Sequence, residues 1–160
     1  MLFFESLVAY LIEGFFMAGA SLSLLGVNLK INKIFSIALI YVFFVYTVRK
    51  IYVIFKIPFG THTFILAIIF ALLIKIIGRQ TILTGIIASL ISLLLLFWGE
   101  GIFLLPLLKF FKIDPITLTF KLGGTILAIL ISDILLILGF IVGYVFDFTL
   151  LNFNNFIDTE

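Results

Sequence analysis

Long apolar runs separated by short polar breaks dominate this sequence. The first run extends from Ser6 to Gly26, and a shorter one extends from Ile34 to Val48 between Lys33 and the basic pair Arg49-Lys50. A bilayer hydrocarbon core of roughly 30 Å needs about 20 apolar residues per helix, or fewer where Lys and Arg at the ends reach outward to the headgroups. These two runs therefore predict the first two transmembrane helices.

The next two runs predict a helical hairpin. The stretch Ile51–Lys56 continues helix two or lies at the interface, and Pro58 and Gly60 then end it. Helix three begins near His62 and reaches Ile77. The turn Gly78-Arg79-Gln80 is so short that helix four, Thr81 to Trp98, must return antiparallel beside helix three.

The last third of the chain is less regular. Gly99-Glu100-Gly101 interrupts the helical pattern, and residues 102–111 contain Pro106 and are too few to cross. We expect a re-entrant or interfacial segment there, with a sixth crossing as the alternative. Asp114-Pro115 is a helix-start signal, and the last span runs from Leu122 to Val145.

These runs predict an all-α fold, a polytopic transmembrane helix bundle of five spans, possibly six. The bundle occupies residues 1–146 as one domain, and residues 147–160 form a short polar and aromatic tail. Composition agrees, because 64% of the 160 residues are hydrophobic and 11% are charged. No soluble fold of this size can bury so much apolar surface. We expect a multi-pass protein of the cell membrane, with the lipid bilayer as its solvent.

Charge and cysteine content exclude several functions. A net charge of +2 from scattered basic residues argues against nucleic-acid binding. The chain has no cysteine, which removes thiolate metal sites and thiol catalysis. It also lacks paired metal-binding histidines on a helix, a nucleophilic serine elbow and a glycine-rich phosphate loop. We therefore expect no enzyme activity, no metal and no cofactor.

Small residues recur at helical spacing in three of the predicted helices. In lipid, helices associate where small residues let their backbones approach closely. The interpretation is helix packing, although the same faces could form a homodimer contact or border a ligand cavity. The residues concerned are Gly124, Ala128, Ser132, Gly139 and Gly143 in helix five, Gly85 and Ser89 in helix four, and Gly14 and Ala18 in helix one.

Four polar residues are candidates for ligand or ion binding. A carboxylate at membrane depth costs about 2.5–3.5 kcal/mol, so Asp133 in helix five and Glu13 in helix one need a reason to be there. Asp133 either binds a proton, a cation or a polar ligand, or makes a structural hydrogen bond to Ser132, another hydroxyl or Lys75. Glu100 lies between two glycines at a predicted membrane boundary. His62 is the only histidine and serves as a binding residue or as an interfacial cap.

Two motifs carry a resemblance to a known family. Ile57-Pro58-Phe59-Gly60-Thr61-His62-Thr63 and Trp98-Gly99-Glu100-Gly101-Ile102-Phe103 resemble the N-terminal membrane region of bacterial sensor histidine kinases of the accessory-gene-regulator receptor type. The resemblance implies a multi-helix input domain. Since only about fifteen residues follow Val145, it implies a stand-alone or excised input module that binds or transmits but does not phosphorylate.

Two functional hypotheses follow. The first is a membrane sensor or interaction module that recognises a small hydrophobic or peptide ligand, or a partner membrane protein. The second is a small transporter, or the substrate-binding subunit of one, with Asp133 and Glu13 lining the path. The second hypothesis requires both carboxylates to face one shared cavity.

Overall fold

The computed structural model describes residues 2–55, 61–114, 118 and 123–151, and helices joined by short loops make up almost all of this part. The predicted all-helical architecture is confirmed. The helices are α1 (Leu2–Leu24), α2 (Ile31–Ile54), α3 (Thr61–Ile76), α4 (Ile82–Gly99), α5 (Leu105–Phe110), α6 (Gly124–Ser132) and α7 (Ile134–Phe140). Two π-helical turns, Glu100–Leu104 and Ile141–Val145, follow α4 and α7.

Three of the described helices are long and apolar enough to cross a membrane. They are Phe3–Leu24, Ile31–Tyr52 and Ile82–Phe110, and α6 with α7 makes a fourth if the bent pair counts as one span. Helix α3 is apolar but has 16 residues, which at 1.5 Å per residue is about 24 Å. The membrane character predicted from composition therefore agrees with the helices that form.

The predicted helix break at Gly99-Glu100-Gly101 is wrong. Helix α4, the first π-helical turn and α5 run on as one rod, which we call the long helix (Ile82–Phe110). A π-helical turn holds one extra residue and keeps the backbone hydrogen-bonded, so the glycines do not end the helix. Residues 102–110 are therefore neither a separate re-entrant segment nor a sixth crossing. At 29 residues the rod measures about 43 Å.

The last predicted helix is not one straight span. It breaks at Asp133, where α6 and the α7 segment through Val145 meet at an angle of 56°. We call this pair the bent helix (Gly124–Val145). The Asp133 backbone remains bonded on both sides, because its N–H donates to the Ile129 carbonyl at 2.8 Å and its carbonyl accepts from Ile137 at 2.8 Å. The chain thus turns without leaving backbone groups of Asp133 unpaired.

Consecutive helices run antiparallel to one another. Tyr41 of α2 meets Phe70 of α3, with ring centroids 5.2 Å apart, while Tyr52 further along α2 meets His62 earlier in α3. In the same way the hydroxyl of Ser89 in α4 donates to the Ala67 carbonyl of α3 at 2.9 Å. The predicted α3–α4 hairpin is confirmed.

Helix α1 lies parallel to the second half of the bent helix. A Cβ atom added at Gly139 would lie 3.4 Å from the Cβ atom of Ala20. A Cβ atom added at Gly143 would collide with the hydroxyl oxygen of Ser23. Residue numbers increase in the same direction along this contact, so α1 and the second half of the bent helix are parallel. Helix α1 also packs against α2, α4 and α6, which makes it the central helix of the described bundle.

Small residues occupy several of these helix crossings. A Cβ at Gly14 would lie 3.0 Å from the Tyr41 ring, and one at Gly85 would lie 2.5 Å from the Ala71 carbonyl oxygen. Ala18 is fully buried, and Ala128 is half-buried. At these points the backbones approach within a distance that larger side chains do not permit.

One end of the bundle is closed by the C-terminal segment. The Asn28 amide after α1 donates to the Asp147 carboxylate at 3.1 Å, and the backbone N–H of Leu150 donates to the Leu24 carbonyl at 2.8 Å. The predicted breaks at Pro58 and Gly60, the helix start at Pro115 and the tail beyond Leu151 lie outside the described residues.

Candidate functional site

Arg49 of α2 points into the bundle rather than out to the headgroups. One guanidinium N–H donates to the Tyr10 hydroxyl of α1 at 2.8 Å, and the guanidinium carbon lies 4.4 Å from the centroid of the same ring. The Arg49 Nε is buried without a hydrogen-bond partner. Helix α2 continues to Ile54, so Arg49 lies more than one turn inside it and faces α1.

Glu13 lies one turn after Tyr10 on the same helix. Its side chain is 9% exposed, and it forms no hydrogen bond or ion pair within residues 2–55, 61–114 and 123–151. The charges of Arg49 and Glu100 both act on it, with opposite sign. A buried carboxylate without a direct partner is costly in an apolar interior, which marks this position for a binding role.

Two adjoining cavities surround these groups. The larger has a volume of about 450 Å³ and the smaller about 260 Å³. The larger is within the range of small-molecule sites, roughly 300–1,000 Å³. Helices α1, α2, the long helix and α6 line the larger cavity, and α3 contributes to the smaller. The residues that line both are Glu13, Arg49, Leu96 and Glu100.

Glu100 is the first residue of the π-helical turn and lines both cavities, although its side chain is exposed. The extra residue of such a turn redirects the side chains that follow it, and π-helical turns recur at functional sites. Gly99 beside it packs against the Ser132 carbonyl so closely that a Cβ would collide with that oxygen. Gly101 has open space around it. The two glycines around Glu100 therefore differ: Gly99 permits a close contact between helices, whereas Gly101 has room for a larger side chain.

His62 lies at the start of α3 and lines the smaller cavity beside Thr63. It is half-buried, and its ring centroid is 5.6 Å from that of Tyr52. Among the described residues there is no group of three or more His, Cys, Asp or Glu side chains able to hold a metal ion.

Asp133 is separate from the other candidates. It is fully buried at the break of the bent helix, and neither carboxylate oxygen has a hydrogen-bond partner in the part of the chain that the structure describes. The hydrogen bond to Ser132 that the sequence suggested does not form, because the Ser132 hydroxyl donates to the Ile129 carbonyl at 2.9 Å. Asp133 is not among the residues lining either of the two cavities, although the charge of Glu13 acts on it.

The structure thus brings Glu13, Glu100 and His62 to adjoining cavities and leaves Asp133 behind the cavity wall. Sequence reasoning missed Arg49 and Tyr10. Arg49 was interpreted as the basic end of a short second helix. The apolar stretch after Arg49 is the sequence signal that could have revealed its position. This stretch lets α2 continue and brings Arg49 to the depth of Glu13.

No protein-family model, curated protein or solved structure matches this chain.

Proposed function

We propose that this chain is a multi-pass membrane sensor or interaction module, which binds a small hydrophobic or peptide ligand in the two adjoining cavities. One observation carries the proposal: the buried Glu13, the half-buried Arg49 and the exposed Glu100 line the same two cavities of a mainly apolar bundle. Charged groups at membrane depth are expensive and as a rule mark a functional site. Apolar residues such as Leu96 and Leu104 complete the wall, so the site suits a ligand with both apolar and polar parts.

The antiparallel order of the helices supports a five-span topology. The bent helix then counts as the fifth span, and the short helix α3 crosses with help from polar residues at its ends. We propose that the bundle acts as the membrane input region that its two sequence motifs resemble, and that it passes ligand binding on to a partner membrane protein.

Ligand binding can be tested without knowing the natural ligand. The chain is placed in phosphatidylcholine nanodiscs and titrated with tritium-labelled octylamine, octanoate, octanol and a trileucine peptide. At least one probe should bind saturably, at about one molecule per chain. The cavity-filling substitution Ala128→Phe should abolish this binding, because Ala128 lines the larger cavity. Leu127→Phe is the matched control, since Leu127 is 51% exposed on the outer face of the same helix.

Leu104→Trp provides a second cavity-filling variant in case Ala128→Phe fails to fold. Leu104 lines the larger cavity from the long helix. Loss of binding in either folded filling variant, with retention in Leu127→Phe, supports the proposal. Absence of saturable binding for all four probes, or equal binding in the filling and control variants, refutes it.

A transporter is the weaker candidate, because that hypothesis requires Asp133 and Glu13 to share a cavity and only Glu13 lines the two cavities. The break of the bent helix at Asp133 is the observation that still favours it. Discontinuous helices that carry a carboxylate form ion sites in several transporter folds. Proton flux into proteoliposomes, followed with an enclosed pH-sensitive dye, would be measured for wild type and Asp133→Asn. Flux that disappears in Asp133→Asn supports transport. Equal leakage in both, matching protein-free liposomes, rejects it.

A further inference from the structure

The interior charges around the cavities do not balance. Glu13 and Glu100 line both cavities and Asp133 lies behind them, whereas Arg49 is the one Lys or Arg among the described lining residues of the two cavities. Arg49 is already engaged by Tyr10, through a hydrogen bond to its hydroxyl and contact with its ring. The cavities are therefore short of positive charge.

Among the charged groups that line the cavities, Glu13 is the most buried and has the strongest need for a partner. It is 91% buried, since 9% of its surface is exposed, and it lines both cavities. No described residue donates a hydrogen bond to it, although a carboxylate has about four acceptor positions. A charged group taken out of water is stable only when it is paired and hydrogen-bonded. A cation entering the cavity would satisfy this requirement.

The lining residues suit an organic cation better than a divalent metal ion. The described residues contain no cluster of three metal-ligating side chains, and hard cations such as Ca²⁺ require six or more oxygen ligands. A primary ammonium needs fewer partners, because its three N–H donors can be shared by two carboxylates. Anionic ligands are disfavoured because the lining of both cavities contains two carboxylates, Glu13 and Glu100, and one guanidinium, Arg49.

We infer that the site binds an amphiphile with one protonated amine, its ammonium between Glu13 and Glu100 and its apolar part along Leu96, Leu104 and Ile129. This inference rests on the proposed function and names the ligand class for the same site. The amine can belong to a free amphiphile or to the ethanolamine headgroup of a lipid, and both present the same –NH₃⁺ group.

The test compares probes that differ in charge and share one apolar chain. Octylamine, octanoate and octanol are titrated against the chain in phosphatidylcholine nanodiscs, and Ala128→Phe nanodiscs supply the background from partition into lipid. Octylamine should bind most tightly. Glu13→Gln should weaken octylamine binding by about ten-fold or more, because a charge-assisted hydrogen bond is lost. Asp147→Asn is the control, since it removes one negative charge at the other end of the bundle.

A second pair of measurements distinguishes the effect of Glu13 on binding from that of Arg49. It also shows whether the natural ligand is a free amine or a lipid headgroup. Arg49→Gln should strengthen octylamine binding, because it removes a cation that competes with the ammonium for the two carboxylates, and weaker binding in the folded variant would overturn the inference. Replacing part of the phosphatidylcholine by phosphatidylethanolamine should weaken octylamine binding if the headgroup is the natural ligand, and leave it unchanged if the ligand is a free amine.

The results distinguish the inference from the proposed function. Preferential binding of octanoate or octanol, or octylamine binding that is equal in wild type and Glu13→Gln, overturns the amine inference while the sensor proposal stands. Failure of all probes to bind saturably overturns both.

Discussion

At the scale of single residues, the side chains of Arg49 and Glu13 determine what the interior can accommodate. They form no ion pair within 4.0 Å in the described part of the chain, yet the charge of each acts on the other. Long-range attraction of this kind is strong in an apolar interior, because little water screens it. The two residues should therefore behave as an energetic pair despite the gap between them.

Arg49→Met should lower the free energy of unfolding, since it leaves the carboxylates without their nearby cation. Adding Glu13→Gln should recover part of the loss, with a coupling of about 0.5–3 kcal/mol in a double-mutant cycle. Reversible unfolding in mixed micelles at increasing SDS measures both values. The control cycle uses Lys50→Met, because Lys50 is exposed on the same helix. Additive effects in the Arg49–Glu13 cycle would contradict the prediction.

Asp133→Ala should raise the free energy of unfolding. Both Asp133 carboxylate oxygens are buried without partners, and an unsatisfied buried polar group costs about 1–3 kcal/mol. The same SDS titration measures the change. Ser132→Ala is the neighbouring control and should have a smaller effect, because the Ser132 hydroxyl bonds only within its own helix. Destabilisation by Asp133→Ala would mean that the carboxylate has a stabilising partner in the bilayer.

The sequence indicated the depth of Glu13 and Asp133 because each interrupts an apolar run. It did not indicate which of them share a cavity, since that depends on the rotation of each helix about its axis. Glu13 and Asp133 both lie inside the bundle, but only Glu13 is among the residues lining the two cavities. Helix rotation is set by packing with neighbours that are distant in sequence, such as α6 against α1.

At the scale of the elements, the α3–α4 hairpin depends on one close approach. The backbone of Gly85 lies against the Ala71 carbonyl, so that a Cβ would stand 2.5 Å from its oxygen. The neighbouring hydrogen bond from Ser89 to Ala67 extends the same antiparallel contact by one turn. The two contacts hold the helices at a separation that only small residues allow.

Gly85→Ala should destabilise the protein by about 1–3 kcal/mol, because the helices must move apart to admit the methyl group. Gly101→Ala is the matched control: it makes the same chemical change at a helical glycine with nothing within 4 Å of the added carbon. There the substitution should be neutral or stabilising by up to about 1 kcal/mol, since alanine favours the helix. SDS unfolding of the two variants compares them directly, and equal effects would argue against the close approach.

The helices that the sequence predicted most directly were α1, α3 and α4, each of which follows a long apolar run. The two errors both concern glycine or aspartate inside an apolar run. At Gly99-Glu100-Gly101 the helix continues because a π-helical turn tolerates the sequence, and at Asp133 the helix bends although no proline or glycine is there. Local propensity does not distinguish these outcomes, because tertiary contacts such as Gly99 with Ser132 decide them.

At the scale of the whole molecule, the helix directions predict the sidedness of the loops relative to one another. The loop after α1, the loop after α3 and the segment after the bent helix lie at one end of the bundle, where Asn28 bonds to Asp147. The end of the long helix lies at the opposite end. The sequence indicated five or six spans and left the choice open, because residues 102–111 could be counted either way.

Single-cysteine labelling can test this arrangement cleanly, because the chain has no cysteine of its own. In sealed vesicles, Arg79→Cys and Asp147→Cys should react with a membrane-impermeant maleimide from the same side, and Lys112→Cys from the other side. Vesicles of inverted orientation provide the control and should reverse the pattern. Labelling of Arg79→Cys and Asp147→Cys from opposite sides would require an additional crossing between them.

The central position of α1 also has a consequence for the order of assembly. This helix is synthesised before its neighbours in the bundle, and two of them, α6 and α7, come later in the chain than the others. During insertion Glu13 therefore enters the membrane before all the helices that line its cavity are present. Tyr10 and Arg49 become available as soon as α2 has entered, and their contact can keep this early helical pair together until the remaining helices arrive. Arg49 would then act first as an assembly aid and only later as part of a binding site.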